Sequence, residues 1–323
     1  MVYDPRGGGN IHIDVALTNV SVGYQNNAFV GERLFPSVPV VKQSNKYYVF
    51  GRETWSVHLD LRAPGTQANE IPGYTVSTDT YFANEHALQV PVTDEERQNA
   101  DAPFDPDRDG AELVTEKVLL GREVAMKTLV TTAANYPAGG TTTLSGTAQW
   151  NDYVNSNPIG DLRTGIRWVN GQIFRNPNTL VLPYQVMSQL EDHPDFIERI
   201  KYSERGIMTP DIIAAVLGIE DVIIPSSGQN TANMGQAVSL GYVWGKDVIL
   251  AYVPPRAGLR IPAFGYEYTW NYAAGQQQVV DRWRENPRKS DLIRMQRRYD
   301  LKLPAQDANA KTIAGYLIKT AVA

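Results

Sequence analysis

The chain of 323 residues has no cysteine, only four histidines, and no lysine between Lys46 and Lys117. The first absence excludes disulfides, thiolate metal sites and cysteine nucleophiles, and leaves the redox character of the compartment unreported. His12, His58, His86 and His193 are scattered, with no two at the i, i+4 spacing that sets paired ligands on one helix face, so solvated or hydrogen-bonded histidines explain them better than a metal site. Positive charge is also short: 30 Lys and Arg against 35 Asp and Glu leave a net charge of −5, without the overall basic footprint of a nucleic-acid binder. No run approaches the roughly 18 apolar residues of a membrane helix, and even Asp211 to Pro225 is broken by Gly218, Glu220 and Asp221. The opening MVYDPRGGGNIHID has neither the basic start nor the apolar stretch of an export signal.

A hydrophobic content of 42% is enough for a sizeable core, in one or two domains. Glycine and proline mark many turns without periodicity, and there is no internal repeat. Residues 1–45 alternate short apolar runs with breakers and read as an arm, in which Phe29-Val30 and Leu34-Phe35-Pro36 must pack on something; an edge strand of the same domain is the alternative. Residues 46–92 read as an extended loop, strand-like at Tyr47 to Phe50 and at Leu88 to Val92, with turns at Pro64-Gly65 and Pro72-Gly73. Folded back as a hairpin, its arms of about 20 residues each span roughly 60 to 70 Å, and such a ribbon is marginal in water unless it lies on its own domain or on a neighbour.

A polar stretch then leads to a long helix. Asp109 with Glu112 three residues on resembles a capping box, apolar Val114, Val118, Ala125 and Leu129 follow at helical spacing, and Glu123 and Lys127 form a favourable i, i+4 pair. The helix is expected over about 108–135. Alternating short strands and helices describe a compact α/β unit over 155–255, with Val248 to Val253 as its last strand. From Asp291 to Leu303 the pattern has period two, with Ile293, Met295, Tyr299, Leu301 and Leu303 on one face and Arg294, Gln296, Arg298, Asp300 and Lys302 on the other. Arg297 interrupts the apolar face, and the long helix is the available cover for it.

Catalytic patterns are mostly missing. Gly241 to Lys246 is one residue too short for a phosphate loop and is followed by Asp247 where Ser or Thr would bind magnesium; Tyr242 and Lys246 have a dehydrogenase-like spacing without the glycine-rich fingerprint that goes with it. The acids Asp94, Glu95, Glu96, Asp101, Asp105, Asp107 and Asp109 lack calcium-loop spacing and read as a solvated linker to a helix N-terminus. No catalytic, cofactor or metal residue is assigned. The sharper feature is a basic cluster, Arg282, Arg284, Arg288, Lys289, Arg294, Arg297 and Arg298, in an acidic protein. It suits intersubunit ion pairs with acids such as Asp60, Glu70 or Glu85 of a neighbour's loop, or an inner face near DNA; a solvated strand face with pairs inside the chain is the plain alternative.

The order of these parts resembles the HK97-type tailed-phage major capsid protein fold. The likeness rests on Ala83 to Glu96 before the helix, on Val280-Asp281-Arg282-Trp283, on Arg294 to Asp300, and above all on the arrangement of nearly the whole chain. It implies an α+β fold: an N-terminal arm (1–45), an extended β-hairpin loop (46–92), a peripheral domain with a spine helix (93–154), an α/β axial domain (155–255) and return strands of the peripheral β-sheet (256–323). It implies a non-enzymatic structural protein of the virion, assembled in the host cytoplasm as pentamers and hexamers of an icosahedral shell around double-stranded DNA bound without sequence preference. Scaffolding, portal or decoration proteins are the further partners, and no membrane is involved. An encapsulin-like compartment shell and a carboxylate-dependent hydrolase are the alternatives. Intersubunit contacts are expected from Phe29, Phe35, Arg52, Asp60, Arg62, Glu70, Arg282, Arg284, Arg288, Arg294 and Arg298. The family's loop-tip isopeptide crosslink is not expected, because the loop has no lysine after Lys46. The loop also starts too early for an N-terminal scaffolding segment, so scaffolding is expected from a separate chain or not at all.

Overall fold

The computed structural model describes residues 12–323 apart from 24–25, 27–28, 51–54, 56, 59, 66, 69, 71–76, 102, 201–207, 234, 259–260 and 272–275. Gly7 to Gly9, Arg52 and the Pro72-Gly73 turn lie outside the described residues. The chain opens with β1 (His12–Ile13) and α1 (Val15–Gly23), whose first turn is held by Asp14 Oδ1 accepting from the backbone N–H of Ala16 and Leu17 at 3.0 and 3.1 Å. A single helical turn, α2 (Gly31–Leu34), leads into β2 (Ser37–Val40). The arms β3 (Ser44–Val49) and β4 (Ser77–Phe82) pair antiparallel from Ser44 opposite Phe82 to Val49 opposite Ser77. A hairpin is therefore present, but among the described residues its ladder has six-residue arms and not about twenty; Pro64-Gly65 makes the expected turn further out, with Gly65 at φ 82°. A longer ladder of two strands has no third strand to support it.

Next come β5 (Asn84–Thr93), α3 (Asp94–Asn99) and α4 (Pro106–Thr131). The capping box belongs to α3: Glu96 N–H donates to Thr93 Oγ1 at 3.2 Å while Thr93 N–H donates to Glu96 Oε2 at 2.9 Å. The long helix starts three residues before the expected Asp109, because Asp105 caps it and Pro106 fits the first turn, where no N–H partner is needed. Its 26 residues make a rod of about 39 Å at ~1.5 Å per residue. Ala111, Val114 and Val118 pack with Leu17, Val92, Val280, Ile293 and Met295 in a small core. Met126 and Val130, further along, enter a second and larger one.

That larger core belongs to the α/β unit. Its elements are β6 (Thr141–Thr143), α5 (Pro158–Ile173), β7 (Thr179–Val181), α6 (Tyr184–Leu190), α7 (Pro194–Ile200), α8 (Pro210–Leu217), β8 (Asp221–Ile223), the ribbon β9 (Gly228–Asn230) with β10 (Leu240–Tyr242), and β11 (Val248–Ala251). The return strands are β12 (Tyr266–Trp270), β13 (Gln278–Glu285), β14 (Ser290–Lys302) and β15 (Gly315–Lys319). Here the structure corrects the expected boundary at 255. The second sheet runs β6-β15-β11-β7-β8, so β15 does not return to the peripheral sheet, and β11 is a central strand and not the last. The four residues Gly315 to Ile318 are all buried, a run that suits a strand covered on both faces.

The first sheet runs β1-β13-β14-β12-β2, with β5 on the other edge of β14. Only β2 against β12 is parallel. As expected, β14 presents Ile293 and Met295 to α4, which covers that face. The edge strands β2 and β5 contain Pro39 and Pro91, each without a backbone donor.

Candidate assembly surfaces

The arginines of the return strands meet carboxylates of their own chain. Arg282 lies 3.3 Å from Asp107 and 3.8 Å from Asp14, Arg284 binds Asp94 with two nitrogens and Asp291 at 3.4 Å, and Arg288 is 3.6 Å from Glu285. Arg294 is 2.7 Å from Asp281 and 5.0 Å from the centroid of the Trp283 ring, and Arg298 is 2.6 Å from Glu85. Arg97 sits among them, 2.6 Å from Asp107 and 2.9 Å from Asp291. The acidic linker and the basic strands, separate features in the sequence, are thus one network. Glu85, expected to serve a neighbour, pairs within the chain because β5 lies beside β14 with Glu85 opposite Arg298. The hydrogen bonds from Arg284 hold the Asp94 carboxyl below its ordinary range. The solvent-facing pairs among them, Arg284 with Asp94 and Arg288 with Glu285, are screened by water and contribute little.

A second set of charges is buried. Glu267 on β12, fully buried, accepts from Arg122 of α4 and from Arg297 of β14, the latter at 2.9 Å, and Arg122 also reaches Glu32 of α2 at 2.7 Å. Arg297 is therefore not a fault in the apolar face of β14: it is the cation that neutralises Glu267 from that face. Burial pushes the Glu32 carboxyl up, but Arg122 and, further off, Arg297 outweigh it and leave it below its usual value. Glu123, next to Arg122, turns inward and not toward Lys127. Its Oε1 accepts from Val30 N–H at 3.0 Å and from the Trp244 indole N–H at 2.7 Å, and its Oε2 accepts from Gly31 N–H at 3.0 Å. Glycine is needed at 31, since a Cβ there lies 2.7 Å from Glu123 Oε2 and 2.2 Å from Met126 Sδ.

The hairpin root carries an apolar groove of about 470 Å³, lined by Val40, Val41, Tyr47, Tyr81, Tyr266 and Tyr268, with Lys42 and Lys46 beside it. Tyr47 donates to Asp79 Oδ2 at 2.7 Å, and burial followed by that bond raises its phenol well above its normal range. Further along the loop Asp60, Arg62 and Glu70 are exposed, and so are Val57 and Leu61. Phe29 is half-buried. Phe35 has no surface to offer a neighbour: it is fully buried, with its ring 6.1 Å from that of Phe264, because its segment closes the larger core of its own chain. Among the described residues no cluster of three or more His, Asp or Glu is placed to hold a metal, and no helix is long and apolar enough to cross a membrane.

No protein-family model matches the chain. The chain is 29% identical over 265 residues to the major capsid protein of Burkholderia phage BcepMu, covering 79% of this chain and 82% of that one. It also superposes on the crystal structure of a phage-related protein from Bordetella bronchiseptica RB50 with a TM-score of 0.76 and 27% identity, over 97% of this chain and 98% of the other. The chain is similar to tailed-phage major capsid proteins and has the HK97-type fold. The mature capsid of bacteriophage PhiM1 shares the fold at a TM-score of 0.55 and 14% identity, over 92% of this chain and 88% of that one. The first sheet forms a plate that α4 covers on one face, and the role these similarities support is a structural one in a capsid shell.

Sequence reasoning missed Arg122, Glu123, Glu267 and Glu32. Only Arg297, an arginine among apolar strand positions, signalled that a buried acid must lie opposite.

Proposed function

We propose that copies of this capsid subunit assemble as pentamers and hexamers of an icosahedral shell enclosing double-stranded DNA, in the host cytoplasm and without catalysis. The alignment with a phage major capsid protein over 79% of the chain carries this reading. The mechanism is geometric. The plate and α4 make a rigid body, while the loop beyond the hairpin root, where Val57, Leu61, Asp60, Arg62 and Glu70 are exposed, lies against a neighbour.

Phe29 and Arg52 are assigned to the same contact. Arg282, Arg284, Arg294 and Arg298 first hold the plate's own acids and set register between subunits through whatever charge is left over; Arg288, the most exposed of them with 67% of its side chain accessible, is the freest to reach across. The arm covers 1–45 and lends β1 and β2 to the plate, the loop runs from 46 to the end of β4, the plate takes β5, α3 and α4 with 256–314, and the axial unit is 155–255 together with β6 and β15. Non-specific contact with DNA falls on the inner face, and scaffolding, portal or decoration proteins are the further candidate partners. With no lysine after Lys46 in the loop, packing and charge join neighbours in place of a covalent bond. Multiplicity supplies the strength, since each subunit is held by several weak contacts at once.

Deleting residues 60–74 tests the reading. The shortened subunit is expected to stay folded and helical by circular dichroism yet to form no shells by electron microscopy, whereas the full chain forms them. Shells of normal appearance from the deletion would remove the loop from assembly, and a full chain that stays monomeric with or without a scaffolding partner would remove the shell reading itself.

A further inference from the structure

Three donors from distant parts of the chain converge on the Glu123 carboxylate: the backbone N–H groups of Val30 and Gly31 in the arm segment, and the indole N–H of Trp244 in the α/β unit. Glu123 is 3% exposed and Trp244 1%, and among the described residues the carboxylate has no ion-pair partner, so these N–H groups are what meet its charge. The position on α4 is informative. Val118 is the last helix residue in the plate core and Met126 the first fully buried one in the α/β core, so Glu123 lies where the helix passes from one to the other.

Apolar packing tolerates sliding and small rotations, whereas a hydrogen bond weakens steeply once its distance or angle departs from a narrow range. A junction pinned by three bonds to one carboxylate therefore holds the two units at one angle. Gly31 adds to this, since the space a Cβ needs is filled by Glu123 and Met126. The neighbouring Arg122–Glu267–Arg297 cluster fixes α4 to the plate and does not reach the α/β unit, so among the described residues Trp244 supplies the side-chain hydrogen bond from α4 to that unit, while the Arg33–Asp221 pair ties the arm segment to it.

We propose that Glu123 is a positioning residue that sets the angle between the plate and the α/β unit, and through that angle the curvature and diameter of the shell. The proposal rests on the shell reading above. In a closed shell each subunit repeats the same internal angle, so a small change in it is repeated in every copy and appears as a change of particle size.

The test compares Glu123→Gln, Trp244→Phe and, as a control, Val130→Ala, which removes buried apolar packing two turns along the same helix. Each variant is measured for thermal midpoint as free subunit and for particle diameter by electron microscopy after assembly. Glu123→Gln and Trp244→Phe are expected to fold and assemble with a shifted or broadened diameter distribution, while Val130→Ala loses thermal stability and keeps the wild-type diameter. Unchanged diameters in both junction variants overturn the proposal. So does an equal change of diameter in Val130→Ala, which would make size a general consequence of instability, and so does failure of both junction variants to fold, which would make the contact a folding requirement and not an angular setting. If the wild-type chain forms no shells, the shell reading fails, and that outcome is visible before any variant is made.

Discussion

The N-terminal half of α4 rests on a small core beneath the six-stranded sheet, and its C-terminal half is built into the larger core of the five-stranded one. Both contacts are apolar. Between them the helix turns two charged residues inward, Arg122 toward the plate and Glu123 toward the arm and Trp244. The contrast separates two tasks. Apolar area holds the helix to each unit, roughly in proportion to what is buried, whereas the polar junction contributes little net attraction and specifies orientation.

The largest expected effect comes from breaking the junction on the plate side. Glu267→Ala leaves Arg122 and Arg297 buried without their shared carboxylate, and chemical denaturation is expected to show a loss of about 3 to 5 kcal/mol. A loss near zero would mean that water reaches the cluster. The two cores can then be compared with one substitution, since Met126 in the larger and Met295 in the smaller are both fully buried. Truncation of a buried methionine to alanine costs about 2 to 5 kcal/mol, depending on how far the surroundings collapse. Met126→Ala should fall in the upper part of that range and Met295→Ala in the lower, because among the described residues α1 and α4 alone cover the small core and they can settle inward. The reverse order would show that the plate is the stiffer unit.

Acid separates the two regions by pH. The Glu32 carboxyl at the junction lies below its ordinary value of 4.5, so its contribution is complete above about that pH and is lost as pH falls through the lower folded value. His193 in the α/β unit is also shifted downward from 6.5: burial disfavours the charged ring, with Asp195 opposing. Its Nδ1 accepts from Asp195 N–H at 3.2 Å and its Nε2 lies 3.0 Å from Ser156 Oγ, an arrangement that needs the neutral ring. A depressed histidine gives stability that is present above about pH 6.5 and lost as pH falls toward the folded value. Stability measured from pH 7 to 3 should therefore fall first through His193 and then through Glu32. His193→Gln should flatten the first decline and Glu32→Gln the second, and a single unaltered transition in both variants would contradict the assignment.

The smallest effect is at the surface. Arg288→Ala should change subunit stability by no more than about 1 kcal/mol, because its pair with Glu285 is exposed, and any larger change should appear only in assembled particles.

Much of this was legible in the sequence. The period of two from Asp291 to Leu303, the helical spacing through Val114 and Val118, and the short strands and helices around Thr179 and Val222 are local patterns, and each places an element where the structure has one. The hairpin root was visible for the same reason, through Tyr47 to Phe50. What was not legible depends on partners far apart in the chain. Glu123 and Lys127 satisfy the i, i+4 rule for a surface pair, and nothing local says that an indole more than a hundred residues on claims the carboxylate instead. The acids from Asp94 to Asp107 read as a solvated linker, and the arginines of β13 and β14 as partners of a neighbour, of DNA or, in the plain alternative that the structure bears out, of acids in their own chain, because sequence shows the sign of a charge but not who stands opposite. The strand Gly315–Lys319 was given to the wrong sheet, since an apolar run tells that both faces are covered without telling by what.

The prolines in the edge strands have a consequence for a protein that must reach high local concentration before it is built into anything. Pro39 in β2 and Pro91 in β5 remove backbone donors at two borders of the plate, and at the third border the described part of β1 is two residues long. An unprotected border would let one subunit extend its sheet into the next by main-chain pairing, a mode of growth that is indifferent to sequence and leads to fibres. With those borders blunted, main-chain pairing from one plate to the next is disfavoured, and crowded subunits are left to meet through their side chains.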